Sequence, residues 1–216
     1  MRGDHFTDEG GWIWTAFCEP TKYLLHTYAG VRNDKTAGSF ITGALNKTAS
    51  DHIPTFITDG YNVYKTVLKR RYCVCRGRIC KDKCTPDPKL NYGQVIKTRN
   101  GKKLEKMEYK TIFGTVPKEI LNNSAIEREN LNVRMFNSRT RRRTITFAKS
   151  KLLMNNALEL YRNVRNLCND HASLCVPRKE NNGVYKHVTP AMAIGVTDRP
   201  WSMRELMTFS YRQNIN

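Results

Sequence analysis

The sequence predicts an α/β fold, a mixed sheet flanked by helices, on three observations. Two segments of aromatic and β-branched residues, 12–17 and 23–29, flank the turn Glu19-Pro20-Thr21-Lys22 and read as a β-hairpin. A short apolar run, residues 53–58, ends directly in Asp59-Gly60 and gives way to a helical pattern. Leu153, Ala157, Leu160, Val164 and Leu167 recur at helical spacing within residues 149–169.

Taken in order, the hairpin closes at Gly30. Ala37, Phe40, Ile41, Ala44 and Leu45 then space a helix over residues 33–46, with Asn33 or Asp34 as its cap. Residues 61–68 resume helical period after Asp59-Gly60. Residues 91–97 and 106–112 are short strands joined through the Asn100-Gly101 turn. Ser124-x-x-Glu127 has the form of a capping box, and the helix over 149–169 directs its five apolar residues toward the core. Residues 171–185 are polar and read as a loop, and His171 and His187, without paired ligands nearby, read as surface residues. Thr189 caps a short helix that Pro190 begins and Gly195 ends, and residues 198–207 supply a last helix anchored by Trp201. The chain has no internal repeat. The expected organisation is one domain over residues 1–216, with a Cys-rich basic insertion at 69–89 and a helical extension at 149–216.

A chain of 216 residues can bury a real core. A hydrophobic content of 39% and a mean hydropathy of −0.61 make that core modest and the surface wet. The formal charge of +18 favours a polyanionic partner, nucleic acid first. A membrane-surface protein calls for a basic amphipathic helix with Trp, Phe and Leu on its other face, which has no specific support here. With no apolar run of ~18 residues and no charged-then-apolar leader, neither a transmembrane helix nor a signal peptide is expected. Seven cysteines, an odd number with four of them clustered, indicate a reducing, cytoplasmic setting rather than a disulfide framework.

Three places carry candidate chemistry. Residues 124–151 hold Arg128, Arg134, Arg139, Arg141, Arg142, Arg143, Lys149 and Lys151 against Glu127 and Glu129, a net +6 of the +18. A carboxylate in such a field suits a metal ligand beside a phosphate backbone, while the capping box offers Glu127 a purely structural role; both readings stand. Asp59, at the carboxyl end of a strand and followed by a glycine, is where α/β proteins place ligands, although an ordinary Asp-Gly turn has the same pattern. Cys73, Cys75, Cys80 and Cys84 can satisfy a tetrahedral Zn2+, but the first pair is spaced Cys-x-Cys rather than the usual wider pair, and reduced cysteines in a basic insertion fit equally.

The order hairpin, helix, strand-Asp, helix, strands, helix-Glu is that of the ribonuclease H-like fold. The segments Trp12-Ile-Trp-Thr-Ala-Phe, Thr58-Asp-Gly-Tyr-Asn-Val-Tyr, Leu90-Asn-Tyr-Gly-Gln-Val-Ile-Lys, Ile126-Glu-Arg-Glu-Asn-Leu-Asn-Val-Arg and Val188-Thr-Pro-Ala-Met-Ala-Ile-Gly resemble, in order, the catalytic domain of DDE transposases of the insertion sequence one type. That resemblance implies three carboxylates holding a pair of divalent ions, Mg2+ or Mn2+, with Asp59 in the second position and Glu127 in the third. It implies cleavage of a DNA phosphodiester and attack of the freed 3′-hydroxyl on target DNA. Transposon ends and target would be the partners, with Arg128, Arg139, Arg141, Arg142, Arg143 and Lys149 gripping the backbone. Oligomers bridging two DNA ends, and association with the nucleoid, follow from the same resemblance.

Two departures bear on that expectation. The family's first carboxylate lies on a strand before Trp12, where this sequence has eleven residues. Asp8-Glu9 mimics the motif but leaves no room for strand plus turn, and Asp4 has the same difficulty, so the first strand and the DNA-end-recognising region before it are expected to be missing. The Cys-rich insertion is the second departure. Two rivals follow: a catalytically inactive, DNA-binding transposase remnant, and a basic zinc-knuckle nucleic-acid-binding protein.

Overall fold

The computed structural model describes residues 11–49, 52–74, 85–101, 103–140, 148, 150–177 and 185–209. They form a mixed α/β fold in two compact units, one made of the chain up to Gly30 together with Glu129 onward, the other of Val31–Arg128. No helix among the described residues is long and apolar enough to cross a membrane.

In the first unit, β1 (Trp12–Cys18) and β2 (Tyr23–Gly30) form the expected antiparallel hairpin, in register from Trp12↔Gly30 to Cys18↔Tyr23 with a bulge at Ala16/Phe17. The other edge of β2 is closed by side chains rather than by a strand. Asn166 accepts from the Leu24 N–H at 3.0 Å and donates to the Leu24 carbonyl at 2.9 Å, while Asn155 accepts from the Ala29 N–H at 2.8 Å. An open edge invites pairing with other chains, and these two asparagines occupy it. Ala29, Val133, Ala148, Met154 and Leu158 make the core here, with Ile13 and Tyr161 against them.

Met154 and Leu158 come from a helix spanning Lys151–Asn163, which Ser150 caps through its hydroxyl. The helix is where the sequence places one, but the stripe is rotated. Leu153 and Leu160 are 44% and 45% exposed, and the buried positions are Met154, Leu158 and Arg162. The next turn is a π-helix over Val164–Cys168 that turns Arg165 and Asn166 inward as well. Polar side chains displace the leucines because each buried one has a fixed partner. Farther on, a helix over Pro190–Ala193 starts as expected with Thr189 as cap. The last helix, Met203–Thr208, begins later than the sequence suggests because the Ser202 and Glu205 side chains close a capping box just after Pro200-Trp201. Trp201 is half-buried as an anchor, its N–H groups bonded to the Leu167 carbonyl and the Thr197 hydroxyl.

In the second unit, α1 (Asp34–Leu45) is capped by the Asn33 side chain on the Thr36 N–H, and α2 spans Asn62–Arg71. The sheet is mixed and three-stranded in the order β3 (Phe56–Asp59), β4 (Tyr92–Asn100), β5 (Lys103–Phe113), with β3 parallel and β5 antiparallel to β4. Pro54 has no N–H to give, so β3 starts only at Phe56, whose N–H reaches the Asn91 carbonyl. The β4–β5 ribbon runs longer than expected, to a turn in which Gly101 takes φ 57°. Gly93 is required by packing, since a Cβ there would lie 2.2 Å from Leu121 Cδ2. A helix over Ser124–Phe136 follows, here α3.

Candidate functional site

Asp59 is the last residue of β3 and pairs with Val95 of β4. Parallel neighbours share a face, and side chains alternate along a strand, so Asp59, Gly93, Val95 and Lys97 lie on one face of this sheet. That is the face Leu121 covers at Gly93, immediately before α3 begins. From α3, Glu127 reaches Lys97, whose ammonium lies 2.7 Å from both carboxylate oxygens. The register thus sets Asp59 two positions along the sheet face from Lys97, the residue that pairs with Glu127, although 68 positions separate Asp59 and Glu127 in sequence.

The expected capping box is not made. Ser124 already lies in the helix and donates its N–H to Asn122 Oδ1 at 2.8 Å, while the Glu127 carboxylate points to Lys97 rather than to the start of its own helix. Of the two roles open for Glu127, the structural cap is excluded. A Cβ on Gly60 would meet the Ile96 side chain of β4 at 3.2 Å, a tight contact on the face opposite Lys97.

Asp59 is exposed, and its Oδ1 accepts from the Tyr61 N–H at 3.1 Å, an Asx turn that fixes the carboxylate. Aromatic residues surround it. Tyr61 lies under the Arg32 guanidinium at 3.9 Å and packs edge-on against Tyr64. The Tyr64 hydroxyl is pushed well above the ordinary tyrosine range, first by burial and then by the Asp59 charge. Tyr92 is raised by burial too, against the opposing hydrogen bonds to Thr58 and Gln94. Both tyrosines therefore stay protonated near neutral pH and act as neutral donors or walls, not as bases.

Arg128 and Arg139 are exposed, while Arg141, Arg142, Arg143 and Lys149 lie outside the described residues. So do Asp4, Asp8 and Glu9, and with them any first carboxylate in that segment. Of the four clustered cysteines only Cys73 is described. It sits where the insertion closes on itself, with Cys73 bridged to Pro86, the Val74 N–H on the Thr85 carbonyl and the Asp87 N–H on the Tyr72 carbonyl. Cys75, Cys80 and Cys84 lie outside the described residues.

Three arrangements were not anticipated. Lys97 as the partner of Glu127 is one; a lysine directly after the apolar pair Val95-Ile96 is the only local signal for it. The second is a buried Glu129, 2% exposed, held by the Tyr161 hydroxyl at 2.9 Å and by Arg165 Nε and Nη2 at 3.2 Å each. The third corrects the reading of His187 as a residue without ligands nearby. Its Nδ1 lies 2.6 Å from Asp170 Oδ2, and Asp170, Cys175 and His187 present ligand atoms all within 4.8 Å of one another.

Compared with known proteins, the chain matches no family model, no curated protein and no solved structure.

Proposed function

We propose that this chain is a DNA-acting protein of the DDE transposase type, with a ribonuclease H-like fold, that cuts a phosphodiester and joins the freed 3′-end to target DNA. The observation that supports this reading is that Asp59 and Lys97 share one sheet face two positions apart in register, with Lys97 holding Glu127. The charge of +18 supports a polyanionic partner. Carboxylate oxygens are the donors that Mg2+ or Mn2+ prefers, so Asp59 and Glu127 fit such an ion by their chemistry. The described residues supply two carboxylates of the expected three. When bound, the ions would supply an activated water and charge neutralisation for in-line displacement at phosphorus. The chain's own residues supply position: the Tyr61 N–H fixes Asp59, Lys97 holds Glu127, and Arg128 and Arg139 neutralise phosphates. As in the proteins it resembles, an oligomer would bridge two DNA ends.

A second reading has an observation of its own. Lys97 neutralises both oxygens of Glu127, and a divalent ion would have to displace that ammonium, which favours a DNA-binding remnant without chemistry. A nicking assay on supercoiled DNA with Mn2+ separates the two. The transposase reading expects nicking that Asp59→Asn and Glu127→Gln abolish while DNA binding persists. DNA binding without nicking in the unaltered chain would establish the remnant.

A further inference from the structure

Asp170, Cys175 and His187 come from three separate points of the chain. Asp170 follows the π-helix, Cys175 stands immediately before β6 (Val176–Pro177), and His187 immediately after β7 (Tyr185–Lys186), which pairs antiparallel with β6. The backbone fixes all three. The His171 N–H bonds the Val188 carbonyl at 3.0 Å, and a 3-10 turn over Ala172–Leu174 brings the Cys175 N–H to the Ala172 carbonyl. Burial does not gather these side chains, because those of His187 and Asp170 are 71% and 46% exposed. Strands of two residues are too short to hold a hairpin by themselves. A thiol, an imidazole and a carboxylate converging at the base of such a hairpin are a ligand set.

We propose that Asp170, Cys175 and His187 form a binding site for a Zn2+-class divalent cation, with water in the fourth position, that clips the base of the β6–β7 hairpin. In tetrahedral Zn2+ coordination, with bonds of about 2.0–2.3 Å, neighbouring N and O ligands lie about 3.3 Å apart and S and O about 3.6 Å. Cys175 Sγ is 3.7 Å from Asp170 Oδ2, already at that spacing. The His187–Asp170 contact of 2.6 Å would open by about 0.7 Å, which exposed side chains accommodate by rotation. A soft thiolate and an imidazole exclude Mg2+ and Ca2+ as the preferred ion. The thiol proton of Cys175 leaves as the sulfur binds, and the His187 nitrogen binds as the neutral imidazole. The ligand atoms that gather are those of Asp170, Cys175 and His187, and His171, whose Nδ1 is engaged by the Ser173 hydroxyl at 2.8 Å, is outside the set.

The experiment must keep the clustered cysteines from contributing a signal of their own. The full chain carrying Cys73→Ser, Cys75→Ser, Cys80→Ser and Cys84→Ser is titrated with Co2+ and followed by its thiolate-to-cobalt charge-transfer absorption. One equivalent is expected to bind with that band, to be displaced by Zn2+ and to be untouched by millimolar Mg2+. Adding Cys175→Ser removes the band. Adding His187→Ala or Asp170→Asn, both at exposed positions that leave the circular dichroism unchanged, weakens binding at least tenfold. Absence of the band in the four-serine chain, or a band of full strength and affinity in His187→Ala and Asp170→Asn, overturns the site.

Discussion

The buried ion pair Glu129–Arg165 makes the sharpest demand on the packing described above. Both side chains are nearly inaccessible, at 2% and 8% exposure. Glu129 receives four hydrogen bonds, from Tyr161, from Arg165 twice and, at 3.5 Å, from Asn132, while Arg165 Nη1 has no partner among the described residues. Arg165→Met would strand a carboxylate in the interior with only the neutral Tyr161 hydroxyl and the long contact from the Asn132 amide to hold it. Stranding one member of a buried pair costs about 3–5 kcal/mol. With a urea slope of about 2 kcal/mol per molar, a loss of about 4 kcal/mol lowers the unfolding midpoint by about 2 M. The double variant Glu129→Leu/Arg165→Met removes both charges and should recover most of that loss, because an incompletely satisfied pair contributes little net stability. Urea unfolding followed by circular dichroism reads all three chains. A drop below about 1 kcal/mol in Arg165→Met, or a double variant no better than the single, would refute the assignment of this pair as buried and coupled.

Two further outcomes are expected. Gly93→Ala places a methyl 2.2 Å from Leu121 Cδ2 and should cost about 1–3 kcal/mol through overpacking, with Leu121→Ala in the same chain relieving part of it; urea midpoints check both. The hydrogen bond from Arg199, then those from Ser202, take the Glu205 carboxyl from its ordinary 4.5 down to about 2. A depressed carboxyl pKa contributes stability that is complete above the unfolded value and is lost as pH falls through the folded one. The stability gap between the chain and Glu205→Gln should therefore be constant above about pH 5 and vanish toward about pH 2, as measured by urea titration across that range.

The sequence exposed those features whose causes are local. Asp59 stands at a strand end because an apolar run stops there, and Asn33, Thr189 and the Asn100-Gly101 turn act on their immediate neighbours. The face of the Lys151–Asn163 helix was misread because the chain buries Arg162, Arg165 and Asn166, whose partners Glu129 and Leu24 are 36 and 142 positions away from the last two. Periodicity counts apolar residues and is blind to a buried polar residue with a distant partner. Lys97 and Glu127 meet across 30 positions for the same reason, and Asp170 and His187 across 17. The Glu127 capping box failed because a local motif competed with a tertiary ion pair, and the ion pair took the carboxylate.

If Asp59 and Glu127 act together on a divalent ion, as proposed, Mn2+ binding measured by electron paramagnetic resonance shows it without requiring turnover. Bound Mn2+ should fall at least tenfold in affinity in both Asp59→Asn and Glu127→Gln, and Lys97→Met should tighten it, because the ammonium that competes for Glu127 is gone. Mn2+ binding that is indifferent to all three substitutions would contradict the claim and leave Lys97–Glu127 a structural ion pair.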